Sequence, residues 1–202
     1  MNFRTSSFAA LFDANVLFSP GLTSLAIDLA LTGLYRAKWT ARIHEEWVRA
    51  VYETMLEQHG RERADQERLR LDRRRALMDA AVPDCLVEGY EFLEPTLALP
   101  DPHDRHVLAA AIYSKAAVIV TYNLNDFPAE MLARHGVEAQ HPDDFFRHAA
   151  SLDLHDVIEA VRKTRQRRRN PTYTVHDMLA EMRTAWGLTT TADMLAEFAE
   201  LM

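Results

Sequence analysis

Four acidic residues stand where regular elements of the chain could carry them to one place: Asp13, Glu46, Asp104 and Asp126. Asp13 closes an apolar run, Phe8-Ala9-Ala10-Leu11-Phe12, and Asp126 follows another, Ala116-Ala117-Val118-Ile119-Val120. A buried strand that ends in a carboxylate puts a costly charge at a sheet edge, where a cation or a hydrogen-bond donor must answer it. If all four meet, they form an all-oxygen site suited to Mg²⁺ or Mn²⁺. Such an ion orients an attacking water and stabilises charge on a scissile phosphate. Each acid also has a plainer reading. Asp13 could cap the segment after it, Glu46 could be a surface helix residue, Asp104 could cap a helix with Asp101 or His103 sharing the role, and Asp126 could sit in a turn.

The elements that must position these acids alternate between strand and helix. Residues 8–12 read as a buried strand without polar interruption, as in a parallel sheet. Pro20-Gly21 marks a break, and 22–32 has helix spacing with Gly33 at its end. Residues 35–39 alternate like a short strand. Thr40 is placed to cap a helix that carries Ile43, Trp47, Val48 and Val51 on one face. Gly60 interrupts it, and a charged helix follows over 61–81. Residues 82–87 read as a strand or edge segment. Asp104 begins a helix with Val107, Leu108, Ala111 and Ile112 on one face, and 116–122 is the second buried strand. A short helix after Phe127-Pro128 ends at Gly136, residues 137–140 are strand-like, and His141-Pro142-Asp143-Asp144 opens a further helix. This order predicts an α/β fold with a mainly parallel sheet over 8–148. Beyond residue 150 only helical patterns appear, so 151–202 is expected to be a helical C-terminal appendage. In an open parallel sheet, sites lie beyond the carboxyl ends of the strands, where Asp13 and Asp126 fall.

Composition narrows the function classes. The chain has 202 residues, 48% hydrophobic and 26% charged, which suits one packed domain and an appendage. No apolar stretch is long enough for a membrane span, and the first residues run straight into a strand with no secretory leader. Cys85 is the only cysteine and reads as a small core residue. Both points lead us to expect a cytoplasmic protein without disulfides. The net charge of −7 argues against a broad electrostatic platform for nucleic acid, but not against a local basic groove. The histidines offer no spaced pair suited to zinc, the glycines form no phosphate loop, and no serine sits in a nucleophile elbow.

Four segments in order resemble those of PIN-domain nucleases. Phe12-Asp13-Ala14-Asn15-Val16-Leu17 is similar to the family's first-strand motif, and Ile43-His44-Glu45-Glu46-Trp47 to its helix-borne glutamate. The run from Pro100 through Asp104 to Ala111 resembles the segment with the third acid, and Val118 through Asp126 to Phe127 the last strand with its terminal acid. The likeness covers residues 8 to about 148 and is greatest to VapC-type toxins with an extra helical tail. It implies a three-layer α/β/α fold and a Mg²⁺- or Mn²⁺-dependent endoribonuclease. Asp13, Glu46, Asp104 and Asp126 would be the metal ligands, directly or through water. Asn15 and Thr121 would hydrogen-bond ligands or substrate phosphate. It also implies an RNA substrate, a cognate antitoxin and a homodimer. In one place the chain departs from the pattern: many PIN domains have an aspartate two residues after the threonine that matches Thr121, and here that residue is Asn123. An amide oxygen ligates weakly and carries no charge.

Two features stay open at this level. The basic run over 162–169, with Arg162, Lys163, Arg165, Arg167 and Arg168, could track an RNA backbone. It could equally be a solvated helix end favoured by the dipole. Asn123 also motivates a rival of another class, an inactive PIN-like module that binds RNA or protein.

Overall fold

A computed structural model describes residues 8–168 and 171–202. The expectation of no secretory leader at 1–7, Arg169 of the basic run and Asn170 of the expected breaker fall outside the described residues. The centre is a parallel four-stranded sheet, β1 (Phe8–Phe12), β2 (Tyr35–Lys38), β3 (Ala116–Val120) and β4 (Glu138–Gln140), in the order β2-β1-β3-β4. Ala9, Ala10, Leu11 and Phe12 are all buried. Successive strand residues face opposite sides, so this run requires helices on both faces. The result is the three-layer α/β/α arrangement.

The helices between the strands follow the sequence signals closely. Asp13 turns β1 into the short α1 (Ala14–Leu17), and Ser19 caps α2 (Pro20–Ala30). The Thr40 hydroxyl accepts from Ile43 N at 3.0 Å and starts α3 (Ala41–His59), whose buried face carries Ile43, His44, Trp47 and Val48. Gly60, at φ +79°, makes the sharp break into α4 (Arg61–Ala81). A left-handed residue is needed there, and glycine adopts it without penalty. The expected segment over 82–87 forms only a single bridge, Trp39 to Leu86, at the sheet's edge. Cys85 is buried there, and burial pushes its thiol up to about 11, which keeps it unreactive.

Two boundaries differ from the sequence reading, and both matter to the site. Asp104 stands at the N-cap position of the next helix but makes no side-chain capping bond. Asp101 caps a 3-10 turn, Pro102–Asp104, by accepting from His103 N at 2.8 Å, and α5 (Arg105–Tyr113) follows. The second buried strand stops at Val120 rather than residue 122, because Thr121 turns back toward Asp13.

After α6 (Ala129–Leu132) and β4, α7 (Pro142–Leu152) runs unbroken across residues 148–151, where the division between domain and tail was expected. The tail is helical: α8 (Leu154–Gln166), α9 (Val175–Thr184) and α10 (Thr189–Ala196). It packs α8 on α2 and α10 on α7, and Val157, Val161, Trp186, Leu188 and Leu195 join the same hydrophobic core. Trp186 comes so close to Gly21 that a β-carbon there would stand 2.3 Å from Cζ2.

Candidate active site

The carboxyl ends of β1 and β3 meet at Asp13. Its side chain is 7% exposed and is held by three donors. Ala14 N donates to Oδ1 at 2.7 Å, which is the capping role weighed above, while Asn15 Nδ2 and Thr121 Oγ1 donate to Oδ2 at 2.8 and 2.7 Å. Thr121 Oγ1 in turn accepts from Asn15 Nδ2 and from Asn123 N, both at 3.0 Å, and Asn15 Oδ1 accepts from Tyr122 N at 3.2 Å. Asn15 and Thr121 therefore lie against the first acid. Burial raises the Asp13 pKa, the Thr121 and Ala14 hydrogen bonds lower it, and nearby Glu46 raises it again.

Asp104 lies at the end of the 3-10 turn that Asp101 caps. Its carboxyl makes no capping bond. Burial first, then the negative neighbours Asp13, Asp101 and Asp126, push its pKa up to about 6. The third and fourth expected acids are thus close enough to repel. Asp126 ends a 3-10 turn, Leu124–Asp126, and Asn123 sits just before it with its side chain exposed. The backbone of Asn123 fixes the loop: its N–H donates to Thr121 Oγ1, and its carbonyl accepts from Asp126 N at 3.1 Å.

Glu46 completes the set from α3. It raises the Asp13 pKa, whereas Glu45 points outward and is exposed. Glu46 Oε1 lies 3.0 Å from His106 Nε2 and 3.4 Å from Arg42 Nε. His106, considered in the sequence only for zinc, is 1% exposed. Neither His106 nor Arg42 stood out in the sequence. The signal for His106 was its place two residues beyond Asp104, on the helix face turned inward. His44 is fully buried elsewhere. Its Nδ1 accepts from Trp47 Nε1 at 2.9 Å, and its Nε2 pairs with Asp79 at 2.8 Å.

The four acids thus form a chain of mutual influence, Glu46 to Asp13 to Asp104 to Asp126, at one end of the sheet. Among the described residues, no three acidic, histidine or cysteine side chains sit at metal-ligand spacing. The donors are nevertheless all oxygen, and Asp104 is a like-charged carboxyl without a hydrogen-bonded cap. A proton or a cation would relieve such a group, and an all-oxygen donor set is the kind a hard divalent ion takes.

The described cations of the basic run have partners within the chain. Arg162 pairs with Glu159 at 2.7 Å and Lys163 with Asp28 at 3.4 Å. Arg167 Nη1 donates to Asp28 at 2.6 Å, and Arg165 donates to the carbonyls of Tyr173 and Met202 at 2.9 and 2.8 Å. Arg168 pairs with Glu181. Of these cations, Arg162 pairs within α8 itself, Lys163 and Arg167 fasten α8 to α2, and Arg165 and Arg168 reach the segments after it. For Lys163, Arg165 and Arg167 the partners are a buried aspartate and the carbonyls of Tyr173 and Met202.

An open parallel α/β sheet with carboxylates gathered at its carboxyl edge defines the class: an acidic site on a three-layer fold. A family model described as PIN domain matches residues 9–125, and the chain belongs to that family. A second model, described as VapC50 C-terminal domain, matches residues 142–197. A relative from Mycobacterium tuberculosis (strain ATCC 25618 / H37Rv), named "Putative ribonuclease VapC50", is 40% identical over 86 residues. That match covers 41% of this chain and 48% of the relative, so the chain spans about half the length of the curated protein it resembles. No solved structure gives a significant match.

Proposed function

We propose that this protein is a divalent-metal-dependent endoribonuclease of VapC type, with Asp13, Glu46, Asp104 and Asp126 as the groups that would hold Mg²⁺ or Mn²⁺. The observation that carries the reading is the convergence of these four acids, with Asp104 driven up to about 6 by burial and by three like-charged neighbours. A carboxyl perturbed by burial and by like-charged neighbours marks a candidate functional site. The family match supports the same reading.

Bound there, the ion would supply an activated water and charge neutralisation at the phosphodiester. The chain's own residues do the positioning. Thr121 and Asn15 hold Asp13 Oδ2 in one orientation, and Ala14 N holds Oδ1. The Asn123 backbone keeps the Asp126 turn closed. Its exposed side-chain amide stands where many relatives of the fold carry an acid, so Asp126 takes the fourth position. Among the described residues no helix is long and apolar enough to cross a membrane. We place the protein in the cytoplasm, as a homodimer silenced by an antitoxin.

Asp104→Ala is the informative variant, because this carboxyl caps nothing and its removal relieves repulsion. Cleavage of a mixed RNA pool with Mn²⁺ or Mg²⁺, and its loss in EDTA, are measured beside thermal unfolding of the metal-free protein. We expect activity to fall by more than about 100-fold, since even outer partners of a metal cost about 10–100-fold. The metal-free variant should melt at or above the wild-type temperature. Full activity in the variant would overturn the assignment.

A further inference from the structure

Glu46 is gripped at one oxygen. Arg42 and His106 come from different helices, α3 and α5, and both make their nearest approach to Oε1. Oε2 accepts no hydrogen bond among the described residues. Arg42 is itself fixed: its guanidinium pairs with Glu94 at 3.2 Å and reaches the His103 carbonyl at 3.4 Å.

His106 is the telling partner. Its ring is almost wholly enclosed, and Nδ1 has no hydrogen-bond partner. An unpartnered polar atom in a core costs free energy that an aliphatic residue would avoid. Packing therefore does not account for an imidazole at this position; the contact of Nε2 with Glu46 does. With Nδ1 unpartnered and Nε2 facing a carboxylate oxygen, the ring proton belongs on Nε2.

We infer that His106 and Arg42 are positioning residues: together they engage Glu46 through Oε1 and so set Oε2 as the oxygen offered to a divalent cation. Carboxylate ligands are commonly oriented in this way by partners on the oxygen away from the metal. This inference rests on the proposed function, and the test separates the two.

Mn²⁺ affinity is measured by calorimetry on the RNA-free protein at fixed neutral pH, with thermal unfolding of the metal-free form alongside. His106→Met keeps an apolar side chain of similar reach and removes the donor. His106→Gln restores an amide donor near the position of Nε2. We expect His106→Met to weaken Mn²⁺ by about 10–100-fold, His106→Gln to recover most of it, and Glu46→Gln to weaken it at least as much. The metal-free His106→Met protein should melt no lower than wild type, because an orphaned polar atom is gone. If it fails to fold, Arg42→Met reads the same grip from the other side. Wild-type affinity in both His106→Met and Arg42→Met, with loss in Glu46→Gln, overturns the positioning role and leaves the metal site intact. Equal losses in His106→Met and His106→Gln point to packing and overturn it too. Wild-type affinity in Glu46→Gln removes Glu46 from the site, and the inference goes with it.

Discussion

Asp104 has the most telling electrostatics of any single residue in the site. Its folded pKa, about 6, stands above the ordinary 3.8. An acid shifted this way is favoured in the folded state when protonated. Its contribution to stability is whole below about pH 4 and is lost as pH climbs through 6. A cation competes with that same proton. The rise in melting temperature caused by Mn²⁺ should therefore be small near pH 5, grow through 6 and level off above 7. Thermal scans with and without Mn²⁺ across this range check it, and a rise independent of pH would contradict it. Asp13 and Asp104 were legible in the sequence because each lies at the end of an apolar element, where a charge is conspicuous. His106 was not, since a lone histidine on an inward helix face reads as core. Asp101 was weighed only as sharing a cap with Asp104, and the structure gives it that cap outright.

Among the elements, α8 shows a charge run with partners inside the chain. Arg162 to Arg168 read as a surface for RNA or as a solvated end, yet Lys163, Thr164 and Arg167 converge on Asp28, whose side chain is fully buried in α2. The clue lay 135 residues upstream of Lys163, in an acid placed within the helical pattern of Leu22, Leu25, Ala26 and Leu29. Pattern reading works within a window, and this pairing is wholly non-local. Asp28→Ala should cost about 1.5–3 kcal/mol, the range for hydrogen bonds to charged groups, rather than more, because Arg167 is half exposed and can rehydrate. Chemical denaturation measures it; a change under about 0.5 kcal/mol, the level of an ordinary surface site, would show that the α2–α8 clasp contributes little. The strands and most helices, by contrast, were legible, because continuous apolar runs and capping residues are local signals. The ends that shifted were set by side-chain hydrogen bonds outside the apolar pattern: a local one from His103 N to Asp101, and a long-range one from Thr121 to Asp13.

Across the whole molecule, the tail is a support for the site as well as a cover for the core. The Tyr122 hydroxyl donates to the Trp186 carbonyl at 2.7 Å, and its ring meets His141 edge-on at 5.0 Å. Tyr122 lies between Thr121 and Asn123, so the loop leading to Asp126 is tied down from the far end of the fold. Asp143, in the first turn of α7, accepts from Thr190 and Thr191 N at 2.9 and 2.8 Å and anchors the start of α10 in the same region.

This tie has a consequence in time. A polypeptide leaves the ribosome in order, and Tyr122 must wait for a partner 64 residues behind it. All four acids are already synthesised by then, but the loop bearing the last of them lacks its anchor. The unfinished chain should thus carry its acids with the last of them on an unanchored loop. Chains arrested on the ribosome before α9 should be cleaved by added protease within 121–127, and released full-length protein should resist there. Equal resistance in both would mean that the loop sets without the tail.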